Sequence, residues 1–139
     1  TIRYFDDAKL IIVDRDPRDI YATMINEKRL LGADTLNNDS VDKYISWHRS
    51  VRKKTTQDID EIFMKNRVLR LNFEDFFIHY ERTITQIVEF LDIDFKHKKK
   101  GTKFQPECIN EHVGIWRYLS DQDTILKIEE ELGEYCFMN

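Results

Sequence analysis

The sequence has 139 residues, enough for one domain with a real core and too short for two of ordinary size. Hydrophobic residues at 41% and aromatics at 12% can fill an interior, which excludes a disordered or low-complexity chain. The net charge of −4 gives no general attraction to nucleic acid or acidic membranes, so any anion site has to be local.

No apolar run approaches the roughly 20 residues that span a bilayer, and no signal peptide is visible. Cys108 and Cys136 are too few and too far apart for a disulfide framework or a zinc knuckle. Free thiols in a reducing compartment, and hence a cytoplasmic location, are the expectation. The four histidines show no metal-ligand spacing, so no metal is expected. The chain opens at Thr1, and Ile2 to Phe5 reads as the end of a helix, so the sequence is expected to be a piece of something longer.

Leu10 to Val13 is a short apolar run rich in β-branched residues, the composition of a strand covered on both faces. Asp16 is a good helix N-cap, Pro17 loses nothing at the first helical position, and Asp19 suits the positive helix end. A strand turning tightly into a helix is predicted, and in an open α/β sheet such a turn lies where ligands bind. Arg15 at the turn offers a planar fork for phosphate oxygens, and Thr23, two helical turns on, offers a hydroxyl. The alternative is that Arg15 pairs with Asp16 or Asp19 and Thr23 bonds a backbone carbonyl.

The first helix is predicted over Pro17 to Leu31, with Ile20, Met24 and Leu31 on its apolar face and Gly32 ending it. A polar connection follows to Ser40. A second helix is predicted from Asp39 or Ser40 to about Lys65, burying Tyr44, Ile45, His48 and Val51, then Ile59, Ile62 and Phe63. Trp47 is expected in the core, with stacking on a ligand as the alternative. Arg49 to Lys54 carries four basic residues, either a solvated helix surface or a cationic rim for an anion.

Val68 to Asn72 reads as a second strand, and Glu81 to Leu91 as an amphipathic helix through Ile84, Ile87, Val88 and Leu91. Glu74 and Asp75 are adjacent and point apart, so they read as helix-capping residues and not as a catalytic pair. Lys96 to Gly101 reads as an exposed loop, with binding of an acidic sugar as the alternative. Ser120 and Asp121 open a last helix that Gly133 closes.

These motifs carry a family resemblance. Arg15-Asp16-Pro17-Arg18-Asp19, with Thr23 eight positions after Arg15, resembles the Arg-(Asn/Asp)-Pro-(Lys/Arg)-Asp-x-x-x-Ser segment of sulfotransferases that use PAPS (3′-phosphoadenosine 5′-phosphosulfate). Val68 to Ile93 resembles the family's later strand, its Tyr-Glu-Asp sequence and the helix after it, with Phe73 in place of the Tyr. The run from Phe104 to Ser120 resembles the nucleotide-binding loop of bacterial polysaccharide sulfotransferases through Gly114, Trp116 and Arg117.

The resemblance implies an α/β fold, the carboxyl-terminal part of a P-loop-like three-layer sulfotransferase domain with parallel core strands flanked by helices. It implies that Arg15 and Thr23 hold the 3′-phosphate of PAPS, that Phe73 touches the adenine face, and that Asn110, His112, Gly114 or Arg117 contribute from the loop. The family's 5′-phosphosulfate segment, like Arg-Ser-Gly-Thr, and its general base have no counterpart in this sequence. The expected reaction is sulfate transfer to a glycan hydroxyl, in capsular or cell-surface polysaccharide synthesis, with this chain inactive alone. Two other readings stay open: a helical module binding an acidic partner through Arg49 to Lys54, and another nucleotide-binding α/β enzyme such as a kinase.

Overall fold

The structure, a computed structural model, describes residues 8–26, 38–62, 67–94 and 111–138. The leading strand β1 spans Leu10–Asp14 and turns into helix α1, Pro17–Asn26, then α2, Asn38–Ile62, leads to strand β2, Val68–Asn72. The two strands pair in parallel, Leu10 against Val68 through Asp14 against Asn72. A parallel pair cannot close through a hairpin, and the connection between these strands carries α1 and α2. The Phe73 N–H donates to the Asp14 carbonyl at 2.6 Å, carrying the ladder one residue past β2.

The expected α/β class with parallel strands is present, but β1 is not covered on both faces. Its side chains are half-buried and Val13 is 48% exposed. Among the described residues the sheet holds two strands, too narrow to enclose either one.

After β2 come a short helix α3, Asp75–Ile78, and α4, Tyr80–Leu91. Buried Thr83 fastens the two together, its hydroxyl lying 3.1 Å from the carbonyls of both Asp75 and His79. Asp92 caps α4 in the left-handed region, φ 55°, the place the sequence gives no glycine. The Lys9 ammonium bonds the Phe90 carbonyl at 2.6 Å, pinning the end of α4 beside the start of β1.

The main core lies where α1 and α2 meet helix α5, Gln122–Leu132: Tyr21, Val41, Tyr44, Ile45, Ile125, Ile128 and Leu132. Among the described side chains, those of α2 that join this core come from its first turns. Trp47 and Val51, expected inside, are 42% and 43% exposed. Helix α5 has 11 residues, roughly 17 Å, and cannot cover the roughly 38 Å of α2. Ile59 and Ile62 lie in α2, but their side chains are not described; the expected apolar positions Leu31 and Phe63, the loop Lys96 to Gly101 and the segment before Ala8 fall outside the described residues.

Helix α5 starts as its sequence predicts: the Asp121 carboxylate accepts the Thr124 N–H at 3.1 Å and the Thr124 hydroxyl at 2.7 Å. Asp121→Ala is expected to lower stability by about 1 kcal/mol, read as a shift of the urea midpoint at constant m value. Gly133 does not close the helix in a left-handed turn. It stays right-handed and opens a 3₁₀ turn, Gly133–Tyr135. Among the described residues no helix is long and apolar enough to cross a membrane.

Candidate functional site

The corner between β1 and α1 is built from buried acids, each of which binds backbone from a different part of the chain. Asp16 caps α1 by accepting the Arg18 N–H at 2.8 Å. The same carboxylate takes Arg18 Nη2 at 2.7 Å, Arg18 Nε at 3.1 Å and the Phe137 N–H at 3.1 Å. Arg18 completes its set with Glu129 Oε2 at 3.0 Å and the Phe137 carbonyl at 3.2 Å, its guanidinium 4.4 Å from the centre of the Trp116 ring. Thus Asp16 neutralises Arg18, which leaves Arg15 to be accounted for separately.

Asp19 is also withdrawn from Arg15 by other partners. One of its oxygens accepts the Gly114 N–H at 2.7 Å and the other the Trp116 N–H at 3.1 Å. Burial raises the Asp19 carboxyl above its ordinary range, and those two N–H groups partly counter it. Glu74, read from sequence as a capping residue, makes no side-chain cap. Its Oε1 accepts the Asp16 N–H at 2.8 Å instead, so β2's end holds the corner's backbone. Burial raises the Glu74 carboxyl as well.

Arg15 is half-buried, and among the described residues it makes no ion pair. Its Nη2 donates to the His112 carbonyl at 2.9 Å, its guanidinium lies 4.8 Å from the centre of the Phe73 ring, and its Nε is buried without a partner. Phe73 packs on Phe77 at 5.2 Å and Phe77 on the His112 ring at 5.1 Å. A cation thus sits against an aromatic wall at the carboxyl end of the strands. The alternative pairing of Arg15 with Asp16 or Asp19 does not occur.

The other sequence candidates divide. Phe73 and His112 reach Arg15, His112 through its carbonyl. Thr23 donates its hydroxyl to the Asp19 carbonyl at 2.8 Å, the local bond that was its alternative reading. Gly114 adopts φ 74°, and its N–H is consumed by Asp19, so it shapes the turn and offers no free donor. Arg117 is exposed, with its guanidinium 5.1 Å from the Trp116 ring centre. Trp116, expected against the sheet edge, instead lies near Arg18 and Arg117 and packs on the helical core. Asn110 lies outside the described residues.

The basic stretch of α2 is partly consumed. Arg49 bonds Glu131 at 2.6 Å, and Arg52 pairs with Asp14 and lies 5.1 Å from the Tyr135 ring centre. Lys53 and Lys54 stay exposed, which leaves little of the cationic surface that a separate acidic partner would need.

With this geometry in view, the comparison that decides the family is a match of the sulfotransferase family model to residues 1–97. The chain belongs to the sulfotransferase family. Searches of curated proteins and of solved structures returned no match. The matched span holds Arg15, Thr23 and Phe73, whereas Asn110, His112, Gly114 and Arg117 lie beyond it. In this sulfotransferase, sequence reasoning missed Glu74, Phe77 and the reach of Asp19. The strand before Glu74 was visible, but its partner lies 58 residues away and leaves no local signal.

Proposed function

We infer that this chain supplies the 3′-phosphate clamp and part of the nucleotide wall of an enzyme that moves sulfate from PAPS to a glycan hydroxyl. The observation that carries the reading is the state of Arg15. Its acidic neighbours are taken by other groups, and a buried guanidinium N–H is left without an acceptor. A buried donor without a partner is costly, and a phosphate oxygen would satisfy it while receiving a charge-assisted bond. The start of α1 adds partial positive charge at the same corner.

In this reading Thr23 adds a hydroxyl once it rotates off the Asp19 carbonyl. Phe73 and Phe77 offer apolar faces for the adenine, and His112, Asn110 and Arg117 are the candidate contacts from the far side. Gly114 contributes by turning the chain. The choice of a capsular or cell-surface polysaccharide as acceptor follows from the resemblance to bacterial enzymes, and a cytoplasmic location from reading the two cysteines as free thiols. Leaving-group stabilisation and the general base would have to come from residues outside this sequence.

Calorimetric titration with adenosine 3′,5′-bisphosphate tests the clamp. Arg15→Ala is expected to weaken binding by about tenfold to a hundredfold, the loss of one or two charge-assisted hydrogen bonds. Equal affinity in the wild-type and substituted chains removes Arg15 from the clamp.

A further inference from the structure

Three hydrogen bonds join the β1–α1 corner to one turn of chain nearly a hundred residues later. Arg15, before α1, donates to the His112 carbonyl, while Asp19, in the first turn of α1, accepts from Gly114 and Trp116. The N–H groups of residues 114 and 116 converge on one carboxylate because Gly114 takes φ 74° between them and the 3₁₀ turn Ile115–Tyr118 follows. Asp19 is 1% exposed, so this turn and α1 close over it completely. A carboxylate suits the task because both oxygens accept. An Asn there accepts with one atom and sets an N–H₂ group against a backbone N–H with the other.

Resting on the reading of Arg15 as a phosphate clamp, we propose that Asp19 is the positioning residue for that clamp: it docks residues 112–116 onto α1 so that the His112 carbonyl fixes the Arg15 guanidinium. Asp19 has no role in holding the nucleotide directly. Its carboxylate is saturated by two backbone N–H groups, and its charge would repel a phosphate. What it controls is where the turn lies. With the turn released, Arg15 loses its described hydrogen-bond partner and is held only by the Phe73 face, which raises the entropic cost of holding a phosphate. Phe77 loses the His112 ring from its face at the same time.

The test compares two probes on the full 139-residue chain: adenosine 3′,5′-bisphosphate and adenosine 5′-monophosphate, which lacks the 3′-phosphate. The wild-type chain is expected to prefer the bisphosphate, and Asp19→Asn to cut that preference by about tenfold, with a much smaller loss of affinity for the monophosphate from the altered Phe77 face. A global loss of structure would weaken both ligands together, so a selective loss is not what a merely structural residue gives. If the wild type shows no preference, the phosphate-clamp reading itself falls, and this proposal with it. If the wild type prefers the bisphosphate and Asp19→Asn does too, or loses both ligands equally, only the positioning role is overturned. Should Asp19→Asn not fold, Gly114→Ala disturbs the same docking from the opposite side. A Cβ there is strained at φ 74° and falls 2.7 Å from Arg117 Nη1. The same selective loss is expected of it, and an unchanged preference overturns the proposal.

Discussion

Asp16→Ala is expected to destabilise the chain by about 3–5 kcal/mol, seen as a large drop of the urea midpoint with little change in slope. The carboxylate accepts from the Arg18 backbone, two nitrogens of the Arg18 guanidinium and the Phe137 backbone, with almost no water at hand. Losing the helix cap accounts for about 1 kcal/mol of the loss. The larger share is the Arg18 cation, whose side chain is 10% exposed and which, among the described residues, keeps half-exposed Glu129 as its counter-charge. If this accounting holds, Asp16→Ala with Arg18→Met is more stable than Asp16→Ala alone, since no buried cation is then stranded. A loss below 1 kcal/mol for Asp16→Ala, or no recovery in the double variant, contradicts it.

The second large effect belongs to acid. His48 is 4% exposed on α2, ringed by Tyr44, Trp47 and Tyr135 at centroid distances of 6.0, 6.4 and 5.5 Å, with Nδ1 buried and unpartnered. Burial, then the nearby Arg52 cation, pushes its pKa down to about 4, against the opposing pull of Asp14 and Asp16. The folded chain therefore holds His48 neutral where the unfolded chain, near its ordinary 6.5, takes a proton. Stability from this group is complete above pH 6.5, falls as the pH drops, and stops falling near pH 4, where the folded form protonates too. The window corresponds to about 3 kcal/mol. Asp19 and Glu74, with raised carboxyls, act in the opposite direction over part of the same range. His48→Phe isolates the term: its stability should fall far less than the wild type's between pH 6.5 and 4. Parallel stability curves for the two chains rule out His48 as the group responsible.

What could be read in the sequence was whatever local chemistry specifies. The β-branched run into Asp-Pro placed β1 and the start of α1, and the cap at Asp16 is the bond seen. VLRLN gave β2 to the residue, and Asp121 opened α5 as its side chain suggested. Arg15 was legible as a candidate because the corner that presents it is local. The identity of its neighbours was not. Whether Arg15 would be neutralised depended on Asp16 choosing Arg18 and Asp19 choosing a distant turn, which no pattern near residue 15 encodes. Trp47 and Val51 were misjudged for a related reason: helical spacing defines a stripe, but only the length of the opposing helix decides how much of it is covered.

The span of those acid-to-backbone bonds bears on how the chain acquires its shape. Asp16 waits for residue 137 and Asp19 for residues 114 and 116, separations of 121, 95 and 97 positions. Such high contact order slows folding, since ring closure has to be achieved before the bonds reward it. During synthesis the corner emerges roughly a hundred residues ahead of these partners, so Asp16 has only neighbouring Arg18 and Asp19 has neither of its backbone donors until the later turn is translated. The corner is thus completed well after its own strand and helix have been made, and a nascent chain carries Asp19 in solvent until then.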